Sequence, residues 1–253
     1  SILQEQRIQE IKNGLMDDIM NVQEDLSDYT LVVEGLFADA EESLDEPFLN
    51  ADALKGAAVK KSKDTAFGAT EWTLKNGVTV VVLPTQYKKD QVIFNIELMG
   101  GKNAVATEDL VSFEDNIWAL FQQNSGISKF TSTQIPKMLA GKNVSVSPYI
   151  GGTKHGISGS STPKDLETAL QIAYLYFADP RFDESEYQTG IQQIKAILPN
   201  IAQNPDFQFQ NAVSRILYNN PRVVELNDET LAKADLATIE RVYRQLFKNA
   251  GGA

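Results

Sequence analysis

A single histidine, His155, stands in 253 residues that contain no cysteine. Histidine-based metal centres take at least two imidazoles, and a histidine base needs partners that no sequence pattern here places beside it. His155 precedes Gly156 on an expected strand and is read as a surface or packing residue. The lack of cysteine excludes disulfides, cysteine-ligated zinc, iron–sulfur clusters and thiol catalysis. Carboxylates adjoin at Glu114-Asp115 and Asp183-Glu184, but neighbouring helix positions project about 100° apart, so neither pair converges on one atom. Both are read as caps or solvated faces. The run GISGSS (156–161) has the glycines of a phosphate-cradling loop without the G-x-x-x-x-G-K-[ST] pattern, and Pro163 removes a donor from the helix that follows. Ser158 lies in no G-x-S-x-G elbow, and no histidine follows it for a triad. Gly100-Gly101 is read as a turn, and Trp72 and Trp118 as core. No catalytic, cofactor-binding or metal-binding residue is expected among them.

The elements that position these residues begin with TEWTLKNGVTVVVLPT (70–85), two strands joined at Asn76-Gly77. Asn-Gly suits a two-residue type I′ turn, which needs positive φ at both central positions. Residues 91–99 alternate apolar Val92, Phe94, Ile96 and Leu98 with polar partners, as a half-buried strand does. Thr107 is placed to cap a helix with Leu110, Phe113, Ile117, Leu120 and Phe121 on one face, closing at Ser125-Gly126. A short helix over 135–139 precedes strands at 143–150 and 155–161, broken by Gly151-Gly152. Thr162-Pro163 reads as a helix start, with the helix running to Phe177. Asp183 caps the next helix, which Pro199 is expected to kink or end. Asn204-Pro205 opens another, and Asp235 caps a last one reaching Phe247. No internal repeat is found. A pattern of this kind returns to its sheet after such a helix, so a C-terminally truncated fragment with an exposed sheet edge is expected.

Before the hairpin the chain differs in character. Ile8, Ile11, Leu15, Ile19, Val22 and Leu26 line one face of a helix, and a second apolar run spans 31–37. Residues 1–56 hold 14 acids and 3 bases, a net charge of −11; the other 20 acids and 20 bases cancel. No basic face for a phosphate backbone emerges, so nucleic-acid binding is not expected. No apolar run of about 18 residues exists, so no membrane span is expected, and the start carries no signal-peptide pattern. The expected division is an acidic helical segment over 1–45, the tail of a preceding unit, a linker over 46–69, and an α/β unit over 70–253.

TEWTLKNGVTVVVLPT (70–85), KMLAGKNVSVSPYI (137–150), GISGSSTPKDLETALQIAYLYFADPRFDE (156–184) and LYNNPR (217–222), in that order and spacing, resemble a unit of the pitrilysin/insulinase family of zinc metallopeptidases. The likeness is to the large bacterial "zinc protease" chains and covers 54–249. It implies an α+β fold, a mixed, mostly antiparallel sheet with helices packed on one side, preceded by a helical segment. It further implies four such units in two linked halves around a peptide-degrading chamber. The family's inverzincin motif H-x-x-E-H belongs on the helix after Gly100-Gly101. There the chain reads DLVSFEDN (109–116), without histidine. The resemblance therefore implies a non-catalytic chamber unit. Zinc is expected in the catalytic unit of the parent, and the partners are the catalytic half of the same polypeptide and a peptide substrate. Location in a bacterial cell envelope or periplasm is implied by the resemblance alone. Alternatives carried alongside are an inactive family member acting as an assembly scaffold and a free-standing binding module.

Overall fold

The Asn76-Gly77 hairpin forms, with one residue more in its loop than expected. Leu74 N–H donates to Val78 C=O (2.8 Å) and Gly77 N–H to Leu74 C=O (3.1 Å). Gly77 takes φ 93° while Asn76 keeps a negative φ. The loop is thus Lys75-Asn76-Gly77, a type I turn closed by a left-handed glycine, not a type I′ turn. Asn76 still contributes, its Oδ1 accepting from Val78 N–H at 3.2 Å. The computed structural model describes residues 46–50, 54 and 56–248, all within a unit covering Asp45–Ala253. The expected acidic helices of 1–45 lie outside the described residues.

Strands β1 (Val59–Asp64), β2 (Thr70–Leu74) and β3 (Thr79–Val82) form one antiparallel sheet in the order β1-β2-β3. Strand β1 falls inside the stretch expected to be linker. Its sequence VKKSKD has no apolar alternation and every side chain is exposed; backbone pairing to β2 holds it, with Thr70 Oγ1 donating to Asp64 Oδ1 at 3.0 Å. The second sheet contains β4 (Val92–Met99), β5 (Val144–Ile150) and β6 (Lys154–Ser161) in the order β4-β6-β5. Every named strand pair among the described residues is antiparallel. Pro148 lies in β5, an edge strand, where a missing N–H is tolerated; its carbonyl accepts from Gln122 Nε2.

The helix expected from Thr107 is two elements. A 3-10 turn over Thr107–Phe113 gives way at Glu114 (φ −55°, ψ 141°) to helix α1 (Asp115–Asn124). Thr107 caps neither; the Glu114 carboxylate accepts from the amides of Asn116 (2.9 Å) and Ile117 (3.2 Å), which satisfies orphan donors of α1. After the short α2 (Gln134–Met138) comes α3 (Leu166–Ala178), which starts later than Thr162-Pro163 implied. Thr162 and Pro163 instead form a turn, in which Asp165 N–H donates to Thr162 Oγ1 at 3.2 Å. Helix α4 (Glu184–Gln203) is capped by Asp183 as expected and runs through Pro199 without ending there. Asn204 caps α5 (Pro205–Tyr218), and Asp235 caps α7 (Leu236–Phe247). The small α6 (Asp228–Lys233), capped by Asn227, escaped the sequence reading because six residues give too little periodicity.

One face of the second sheet meets the helices. Ile157, Ile117, Ile194 and Ile239 are fully or almost fully buried, with Phe113, Trp118, Val242 and Tyr243 packed among them. Tyr243 stacks on Phe247 with ring centroids 4.1 Å apart. Gly190 lets α4 approach α1 closely, since a Cβ there would lie 3.2 Å from Leu120 C=O. The result is α+β with helices on one side of an antiparallel sheet.

Candidate functional surface: the open face of the second sheet

The strand period of two sorts the central positions of β4, β6 and β5 into opposite faces. Toward the helices point Phe94, Gly159 and Val146, then Ile96, Ile157 and Pro148, then Leu98, His155 and Ile150. Toward solvent point Ile93, Ser160 and Ser145, then Asn95, Ser158 and Ser147, then Glu97, Gly156 and Tyr149. The open face is therefore rich in hydroxyl and amide groups on short side chains. An ion pair on it, Lys154 to Glu97 at 2.6 Å, is exposed and neutral as a pair. Lys154 donates to Glu97 and holds its carboxyl below the usual range, while Glu97 raises the ammonium. Asn95 Nδ2 donates to the same carboxylate at 2.8 Å and reaches Tyr149 Oη at 3.4 Å. Such a surface offers donors and acceptors to a polypeptide without selecting its charge.

Two glycines in GISGSS are there for close approach, not for phosphate. A Cβ on Gly156 would come within 1.7 Å of Ile96 C=O, and one on Gly159 within 2.3 Å of the Phe94 ring. The run is a paired central strand, so its amides are committed to β4 and β5. Ser158 sits on the open face and His155 on the buried one, so the imidazole does not reach that hydroxyl.

His155 is 2% exposed and both ring nitrogens are engaged. Gly101 N–H donates to Nδ1 at 3.2 Å, and Nε2 lies 2.8 Å from Leu246 C=O. Accepting at one nitrogen and facing a carbonyl with the other defines the neutral Nε2–H tautomer. The ring, edge-on to Phe247 at 5.2 Å, ties the end of α7 to the turn after β4. It is a packing residue, with no nitrogen left for a metal. Among the described residues no group of three histidine, cysteine, aspartate or glutamate side chains is placed to hold a metal ion. The described residues do not fit zinc.

The remaining candidates disperse. Glu114 caps α1, and Asp115 pairs with Lys102 at 2.5 Å. Asp183 caps α4, accepts from Ser185 Oγ and pairs with Arg181 at 2.9 Å, which together depress its pKa. Gly100 and Gly101 adopt φ 128° and 54° and form the expected turn. Trp118 is core; Trp72 is only half-buried, on β2, outside the main cluster. Sequence reasoning gave Arg222 no role beyond its place in LYNNPR. Its guanidinium donates to Lys102 C=O (2.7 Å), Val105 C=O (3.0 Å) and Thr107 Oγ1 (3.0 Å), pinning the segment that leads into α1.

No family model matches the chain, and no curated protein does. Solved structures do. The periplasmic protease PqqL from Escherichia coli superposes with a TM-score of 0.65 at 18% identity, over 82% of this chain and 22% of that one. The fold is that of M16-type, pitrilysin/insulinase-like proteases. The ferredoxin protease FusC, solved as a point mutant in complex with Arabidopsis ferredoxin, gives 0.61 at 16% identity over 77% and 21%. A peptidase M16 inactive domain from Pseudomonas fluorescens gives 0.53 at 15% identity over 69% and 42%. The chain thus spans about a fifth of the length of the two larger proteases.

Proposed function

We propose that this chain is a non-catalytic unit of a larger M16-type metallopeptidase that degrades peptides or proteins. The open face of the second sheet is its wall of a substrate chamber, and the unit also contacts the catalytic half of the same polypeptide. Zinc is held in that other half, where it supplies activated water for hydrolysis. The observation that carries this reading is the stretch 109–116. The fold matches M16-type proteases, yet where the motif helix is expected there is no histidine and the helix is broken at Glu114. Two imidazoles reach one metal from positions one turn apart only on a continuous helix. The serines and Asn95 of the open face, beside a Glu97–Lys154 pair that cancels in charge, fit a wall that passes varied peptide sequence.

The test is peptide hydrolysis by the longer polypeptide and by this chain side by side, each with and without a chelator. Chelator-sensitive cleavage by the longer polypeptide alone is expected. Cleavage by this chain alone overturns the proposal. Silence from both, with no zinc bound, replaces it with an assembly scaffold.

A further inference from the structure

The stretch expected to be linker is docked at its beginning. Phe48 is 6% exposed and sits edge-on to Phe130, with centroids 5.4 Å apart and planes at 73°. Two residues earlier Glu46 pairs with Lys129, whose ammonium also lies 5.1 Å from the Phe130 ring centre. Pro47 between them has a fixed φ, which lowers the entropy lost on docking. The receiving side is a built turn. Ile127 N–H donates to Phe130 C=O (2.8 Å) and Phe130 N–H returns the bond (2.9 Å), closing a two-residue loop at Ser128-Lys129. Ser128 is held at φ 54° by two bonds to Asp179, one to its backbone carbonyl (3.1 Å) and one from Ser128 Oγ to Oδ2 (2.6 Å). Ile127 and Phe130 are themselves buried, so the turn cannot swing away.

We propose that Glu46-Pro47-Phe48 is a releasable latch and that the turn at 127–130 is its socket, a docking site for an acidic-proline-aromatic segment occupied in cis by this chain's own. Burying one phenylalanine side chain favours the closed form by roughly 10- to 150-fold; the exposed ion pair adds at most about fivefold. The open form is thus rare but accessible. Ten residues, 49–58, separate the latch from β1. Closed, the latch fixes the point from which the preceding chain departs. Open, it adds up to nine of those residues as tether, about 30 Å when fully extended, since Ala58 C=O stays paired to Lys75 N–H.

The experiment uses the full chain with labelled phenylalanine, reading the Phe130 ring by NMR, and a hexapeptide of residues 45–50 (DEPFLN) as probe. Phe48→Ala is expected to shift the Phe130 signals, and the hexapeptide to return them toward wild type with half-saturation at or below about 1 mM, the usual local concentration of a short tether. The wild-type chain is expected to ignore the peptide, and a peptide with alanine for phenylalanine to do nothing. Lys129→Glu is expected to raise the open fraction by up to about fivefold, with Glu46→Lys in the same chain restoring it. Phe130 signals unchanged by Phe48→Ala, or a variant deaf to the hexapeptide, overturn the latch. So does a charge swap no better than Lys129→Glu alone.

Discussion

A methyl group on Gly156 would sit 1.7 Å from the Ile96 carbonyl oxygen, inside the β4–β6 ladder. Backbone, unlike a side-chain tip, has nowhere to go, so Gly156→Ala is expected to cost more than about 4 kcal/mol and leave the chain unfolded in urea titrations at 25 °C. Gly159→Ala is milder, because the Phe94 ring it meets can rotate. Asp165 carries a second kind of constraint. Its carboxylate accepts from Asn143 N–H (2.9 Å) and Thr162 Oγ1 (2.8 Å), tying the start of β5 to that of α3. Those bonds, the Asn143 amide first, hold its pKa below the usual value. A depressed carboxyl contributes stability above its unfolded pKa of about 3.9, and that contribution is lost as pH falls from there through the folded pKa. Asp165→Asn should lower the melting temperature at pH 7 and narrow the gap to wild type by pH 2. A constant gap across that range contradicts the account.

At the scale of elements, most of the architecture was legible where one physical signal dominates. Strand β4 alternates, α4, α5 and α7 begin on Asp or Asn caps, and each lies within a residue or two of its expected start. Two of the departures share a cause: elements that tertiary contacts hold without periodicity of their own. Strand β1 has no apolar face, and the break before α1 depends on a glutamate acting as a cap, a role more common for shorter side chains. The open face gave no signal in the sequence because its serines are spread over strands that only pairing brings together, whereas the lack of H-x-x-E-H in 109–116 could be read directly. The edges matter in turn. Pro148 offers no donor on β5 and its carbonyl is taken by Gln122, so that edge resists another strand. Pro148→Val should restore the donor and produce concentration-dependent self-association in sedimentation experiments. A monomer at the same loading as wild type would argue that Gln122 alone suffices.

Across the whole molecule the helical layer is knit by aromatic rings with polar ends. Tyr243 Oη donates to Tyr176 C=O at 2.9 Å, and burial pushes the Tyr176 phenol up to about 12 and Tyr243 well above its ordinary 10. Because the folded state keeps protons that the unfolded chain releases above about pH 10, stability must fall between pH 10 and 12. Unfolding by circular dichroism should therefore coincide with a jump in phenolate absorbance, and Tyr176→Phe should move that transition to higher pH. An absorbance rise with the fold intact would show these phenols ionising in place. The clamp made by Arg222 also has a consequence in time. Its partners Lys102, Val105 and Thr107 lie 115–120 residues upstream. On a ribosome adding about 5–20 residues per second, roughly 6–24 seconds pass between their synthesis and the arrival of the arginine that fixes them. Through that interval the nascent chain has β4 and the residues of α1 but no pin between them. A chaperone that engages it then meets apolar helix residues still waiting for their core.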